Sequence, residues 1–167
     1  MTTDNDLKLF EYRIKRTRLT PKHALCESLA VADPRAMARL CLERMPHDDR
    51  EGFYVLSLAA TKQVLGFSMV AVGGPWSVQV HPREAFRAAV MDGAEAIMVA
   101  HNHPSGNTTP SVEDDLMTAK LMAAGEILGI GLADHVVFCE TDCYSYAADG
   151  WRRLNGKMLI QAMEGLL

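Results

Sequence analysis

An unbroken apolar run, Ala96-Ile97-Met98-Val99-Ala100, passes directly into the polar segment His101 to Pro110. So short an apolar run has the length of a strand covered on both faces, and such strands belong to sheets with helices packed on either side. A loop that polar, placed straight after a central strand, is where α/β proteins build their sites. This junction constrains the fold class and the place of any chemistry together.

The flanking residues supply the other elements of such a sheet. Asp33-Pro34 reads as an N-cap with proline at the first helical position, and Met37, Leu40 and Cys41 follow at helical spacing toward an end near Met45-Pro46. Phe53 to Leu58 and Val64 to Val72 are rich in β-formers, and Ala60 to Gln63 between them predicts a hairpin. After Gly73-Gly74-Pro75 a short strand is expected at Trp76 to Val80. A helix from Pro82 follows, with Ala85, Phe86, Ala89 and Val90 on one face and Gly93 closing it. Ser111 can cap a long helix with Leu116, Met117, Leu121 and Leu128 on one side, ending at Gly129 before a strand at Val136 to Cys139.

The alternation of strands and helices predicts an α/β protein with a mixed sheet. Residues 1–47 read as an N-terminal strand or arm (the alternating residues 7–16) and a helix, all part of the same domain. Residues 48–152 form the core, and 153–167 a weakly helical tail that packs on the body or on a second subunit, which leaves room for a homo-oligomer.

Composition removes several classes. With 49% apolar and 23% charged residues in 167, the chain has globular proportions and none of the bias of disordered or fibrous sequences. The longest uncharged runs, 52–61 and 63–82, are interrupted by Gly, Ser, Gln, Pro or His, so no membrane helix is expected. The start, Met1-Thr2-Thr3-Asp4, has no secretory signal pattern, and a cytoplasmic protein is expected. A net charge of -4 gives no broad positive field for nucleic acid. The local exception is Arg13, Lys15, Arg16, Arg18 and Lys22, which by itself reads as a solvated strand face. Cys26, Cys41, Cys139 and Cys143 show no CxxC spacing and read as reduced, mostly buried thiols.

His101 and His103, two apart on extended backbone, point to the same side and can bind one ion through neutral imidazoles. Alone, such a pair is commonplace. Here Pro104, Gly106 and Pro110 allow the loop to fold the Ser111-capped helix end, with its acids Asp114 and Asp115, back over the strand end. Either acid completes the set on composition. Two histidines, one carboxylate and an open fourth position describe a catalytic zinc site, which lowers the pKa of water toward about 7 and so makes a hydroxide for attack on a carbonyl. A hydrolase is expected. The consecutive letters HNH do not make an HNH nuclease, whose named residues are dispersed, and the HxE and PCxxC of zinc deaminases are absent.

The spacing HxH, seven residues, Ser, two residues, Asp resembles the JAMM signature of the JAB/MPN metalloprotease superfamily. His101-Asn102-His103-Pro104-Ser105-Gly106 followed by Pro110-Ser111 and Asp114 is similar to its RadC branch in particular. His81 to Glu84, Thr118, Leu121, Asp134-His135, Ser145 and Gly150 agree, so the resemblance covers residues 48–152. It implies a cytidine-deaminase-like α/β core and one zinc per chain on His101, His103 and Asp114. It also implies a metallopeptidase mechanism acting on a peptide or isopeptide substrate. Glu51 matches the upstream glutamate that shuttles the proton, although from the residues alone it reads as a solvated position before a strand.

Under the same resemblance Ser111 hydrogen-bonds the water or oxyanion as well as capping the helix. Neighbouring helical positions point about 100° apart, so with Asp114 on the histidines Asp115 is expected to turn toward solvent or the neighbouring loop. Glu84 is better explained by the helix dipole. Asp134 and His135 are expected as buried supporting groups rather than a second metal site. Two departures stand out. Gly74 occupies a position where RadC-like proteins usually carry threonine, and residues 1–47 show no helix-hairpin-helix pattern. The alternative is a DNA-associated accessory module with a non-catalytic metal site, whose basic stretch from Arg13 to Lys22 contacts phosphate.

Overall fold

The computed structural model describes residues 33–45, 49–73 and 80–165. Its first element is α1 (Pro34–Leu42), started by the Asp33 side chain, which accepts from the Arg35 N–H at 3.0 Å. The hairpin is β1 (Gly52–Leu58) and β2 (Val64–Val72), closed by a turn in which Lys62 takes a positive φ of 66°. Then come α2 (Pro82–Asp92), β3 (Ala96–Asn102), α3 (Val112–Leu128), β4 (Gly131–Phe138), β5 (Cys143–Ser145) and α4 (Gly156–Glu164). The sheet order is β2-β1-β3-β4-β5, and β3 with β4 is its parallel pair, the crossover being α3. This is an α/β fold on a mixed five-stranded sheet, as expected for a JAB/MPN core.

Strand alternation divides the core into two layers. Tyr54, Leu56, Leu58, Met98, Ala100, Val136 and Phe138 face α1 and bury against Met37, Leu40 and Cys41. Phe53, Val55, Ile97 and Val99 face the other way, onto Ala85, Phe86 and Ala89 of α2 and Leu121 and Ala124 of α3. The parity that sends Ile97 and Val99 to that side sends His101 there as well, under the start of α3. The ladder continues one residue past β3, where the His103 N–H donates to the Phe138 carbonyl at 2.8 Å, and His103 keeps the same parity.

Several boundaries differ from expectation. Val90 is 56% exposed because it lies about 100° round the helix from Ala89, beyond the sheet contact. Leu128 is likewise exposed, and α3 is instead buried on two sides through small residues, with Ala119 and Ala123 packed on Ala162 of α4. Asn155 caps α4 by accepting from the Met158 N–H at 3.0 Å, so this segment packs on the body as a defined helix. Strand β4 begins at Gly131 rather than Val136, and the short strand β5 was not expected. The strand expected at 7–16, residues 76–79 of the strand expected at 76–80, the basic stretch Arg13 to Lys22, Cys26, Pro46 and Gly74 lie outside the described residues, and Val80 is in no strand. Cys41, Cys139 and Cys143 are free thiols, the first two buried. Among the described residues no helix is long and apolar enough to cross a membrane.

Candidate metal centre

The carboxylate arrives through helix capping. Ser111 and Asp114 form a reciprocal capping box: the Asp114 N–H donates to Ser111 Oγ at 3.1 Å, and Asp114 Oδ2 accepts from the Ser111 N–H at 2.7 Å and from its hydroxyl at 2.6 Å. That arrangement turns the Asp114 carboxylate back over the helix start, toward the end of β3. Asp114 Oδ1 lies 3.0 Å from His101 Nε2, Oδ2 lies 3.5 Å from His103 Nε2, and the two Nε2 atoms are 3.0 Å apart. Between them the loop reverses at Gly106, at φ 78°, and the His103 Nδ1–H donates to the Asn107 carbonyl at 2.7 Å. Among the described residues His101, His103 and Asp114 form a group able to hold a metal ion, with one donor atom from each within 4.8 Å of the others.

Burial alone would push the Asp114 carboxyl up, but hydrogen bonds to His101, His103 and Ser111 outweigh it and hold the group well below the ordinary carboxylate range. It is an anion at neutral pH. The hydrogen bond to Asp114 raises His103 above the ordinary imidazole value, against the opposing effect of burial, and the Glu51 charge adds to the rise. Burial drives His135 far down, so its ring is neutral.

Glu51 sits just before β1, where its charge acts on His103. Asn102 holds it there: Asn102 Oδ1 accepts from the Gly52 N–H at 2.7 Å, and Asn102 Nδ2 donates to the Arg50 carbonyl at 2.9 Å. Sequence reasoning gave Asn102 no role, although an amide between two candidate ligands, at the end of a strand, was a signal that something beside it needed fixing. Ser111 Oγ gives its one proton to Asp114, so in this arrangement the hydroxyl orients the carboxylate.

For the acid beside Asp114, expected toward solvent or the neighbouring loop, the solvent alternative is overturned. Asp115 points away from the histidines, as helical geometry requires, but not to solvent: it is 4% exposed. Its oxygens accept from Tyr146 Oη at 2.7 Å and from Arg153 Nε and Nη2 at 2.8 and 2.9 Å, and Arg153 also donates to the Pro110 carbonyl at 2.8 Å. The segment after β5 wraps over the start of α3, a contact 38 residues away in sequence that no local pattern announces. Asp134 accepts from Ser145 Oγ at 2.6 Å and from the backbone N–H groups of His135 and Ala147, which ties β4 to the chain after β5. His135 lies against His101, stacked on Tyr146 with ring centroids 5.1 Å apart.

The sequence matches the family described as RadC-like JAB domain over residues 31–151. The chain belongs to that family. Similar relatives are a UPF0758 protein of Moorella thermoacetica, 47% identical over 107 residues (64% of this chain and 47% of that protein). Another, from Desulfitobacterium hafniense, is 46% identical over 107 residues with the same coverage. One from Staphylococcus carnosus is 40% identical over 121 residues, 72% of this chain and 54% of that protein. This RadC-like chain therefore spans about half the length of the curated relatives it matches. Their names state no activity, so the chemistry has to be argued from the donor set itself.

Proposed function

We propose that this RadC-like domain is a zinc-dependent hydrolase of the JAMM type that cleaves peptide or isopeptide bonds. His101, His103 and Asp114 are the zinc ligands, and Glu51 is the general acid and base. The observation that carries the reading is the convergence of two imidazole nitrogens and an ionised carboxylate with separations of 3.0, 3.0 and 3.5 Å. Tetrahedral zinc with bonds of about 2.0–2.1 Å separates its ligand atoms by roughly 3.3 Å, and these distances bracket that value. His103 already donates from Nδ1, which leaves Nε2 with a lone pair when the ring is neutral. Three protein donors, rather than four, suit a catalytic site.

Zinc bound there supplies Lewis acidity and lowers the pKa of water toward about 7. The chain's own part is to hold and move protons. Glu51, anchored beside the site by Asn102, takes a proton from the attacking water and gives it to the leaving amine. Ser111 keeps Asp114 oriented through the capping box.

Purified protein should hold one zinc per chain. Glu51→Gln should keep that zinc while losing hydrolysis of a peptide and isopeptide panel. Absence of stoichiometric metal after reconstitution would overturn the zinc assignment, and loss of zinc in Glu51→Gln would make Glu51 a ligand instead.

A further inference from the structure

Behind His101 runs a chain of hydrogen bonds whose proton positions follow from one fixed point. The carbonyl of Asp114 only accepts, and Thr118 Oγ1 lies 2.6 Å from it, so the single Thr118 hydroxyl proton goes there. Toward His135 Nδ1, also 2.6 Å away, the same hydroxyl must then accept, and His135 Nδ1 carries a hydrogen. His135 is fully buried, with its ring between Phe53 and Tyr146, and its two ring nitrogens face a hydroxyl and an imidazole rather than a carboxylate that would hold a second proton, so its Nε2 is a bare lone pair. That nitrogen is 2.8 Å from His101 Nδ1, which must therefore be the N–H donor. With its Nδ1 committed as a donor to His135, His101 turns its other ring nitrogen, Nε2, toward Asp114 and His103.

We infer that Thr118 and His135 are positioning residues that lock His101 in the Nδ1–H tautomer and so keep its Nε2 lone pair available to the ion. The inference rests on the zinc reading for its purpose but not for its geometry. Ligand histidines ordinarily donate their second nitrogen to a carboxylate, carbonyl or water. A neutral imidazole in that place adds no charge to the site. It also has two tautomers, so it needs a further anchor, and Thr118 supplies one through the backbone of the turn that carries Asp114. The arrangement links the two ligand-bearing elements: β3 through His101, and the first turn of α3 through the Asp114 carbonyl, with β4 between them.

The test combines 15N-histidine NMR with zinc affinity measured by chelator competition. Long-range 1H–15N spectra of the wild type, metal-free and zinc-loaded, should show His101 and His135 both protonated on Nδ1. Thr118→Val, which keeps shape and removes the hydroxyl, should lower zinc affinity by roughly 10–100-fold and release the His135 tautomer, while Thr118→Ser restores both. His135→Phe retains a ring against Tyr146 and should lose affinity by a similar factor. If His135→Phe does not fold, Thr118→Val and the wild-type spectra still decide.

A His101 without a proton on Nδ1 in the metal-free protein, or zinc affinity within twofold of wild type in Thr118→Val, overturns the inference. Failure of the wild type to bind zinc overturns the zinc reading and the purpose assigned to the relay, whereas the tautomers in the metal-free spectra report on its geometry independently.

Discussion

Replacing Arg153 by Met removes the guanidinium fork while keeping most of the aliphatic stem. In the wild type the buried Asp115 carboxylate receives two hydrogen bonds from Arg153, at 2.8 and 2.9 Å, and one from Tyr146, at 2.7 Å. The variant leaves that carboxylate with Tyr146 as its remaining side-chain donor among the described residues and deprives the Pro110 carbonyl of Arg153. Breaking a buried pair by removing one partner costs about 3–5 kcal/mol. The Arg153 side chain is 31% exposed, so solvent screens part of the interaction, and about 2–3 kcal/mol is the expected loss. For a domain of this size that is a fall in Tm of roughly 5–10 °C.

Urea denaturation at fixed ionic strength measures it, with Asp115→Asn and the double variant completing a cycle whose coupling should be about 1–3 kcal/mol. Arg153→Lys should recover little, since an ammonium cannot reproduce the fork. A loss below about 0.5 kcal/mol in Arg153→Met, or strictly additive single variants, would show a surface pair of ordinary weakness.

Asp114→Asn should weaken zinc binding by more than the roughly 10–100-fold typical of a lost supporting partner, whereas Asp115→Asn should lower stability and leave coordination intact. Equal zinc loss in the two, by competition titration, would mean that the helix enters in another register. For His103 the folded pKa is raised, chiefly by the hydrogen bond to Asp114. Its protonated form therefore stabilises the metal-free fold fully below the unfolded value near 6.5, and this is lost as pH rises through the folded value. Zinc has to displace that proton, so apparent affinity should fall about tenfold per pH unit on acidification below the raised pKa, and a flat profile from about pH 8 to 5.5 contradicts this. Gly125→Ala would place a Cβ 2.5 Å from the Ile130 carbonyl oxygen, a backbone atom. It should cost about 1–3 kcal/mol in chemical denaturation despite better helix propensity, and a stabilised variant would refute the close approach.

What could be read from the sequence was what is local. Capping residues and period placed α1, α2, α3 and the hairpin, because each signal lies within a turn or two of the element it marks. The candidate ligands were legible because all three sit on one strand end and the first turn of the next helix. Strand β4 was read five residues short, since Asp134 and His135 interrupt its apolar run; both are buried and bonded through partners that a linear pattern does not show. The turn of Asp115 toward Arg153, the facing of His101 and His135 across β3 and β4, and the short strand β5 depend on chain segments meeting over long separations. Periodicity carries no record of such meetings.

His101, His103 and Asp114 all come from the stretch 101–114, while Arg50, Gly52, His135 and Arg153, which brace that stretch, come from distant parts of the chain. A denatured molecule therefore keeps its three donors on one short tether and can chelate zinc without folding. A ligand that also binds the unfolded chain stabilises the fold by less than its native affinity implies. The rise in melting temperature on adding zinc should accordingly understate the affinity found by direct titration. That gap measures how much of the coordination is assembled by the fold and how much is already written in one short peptide.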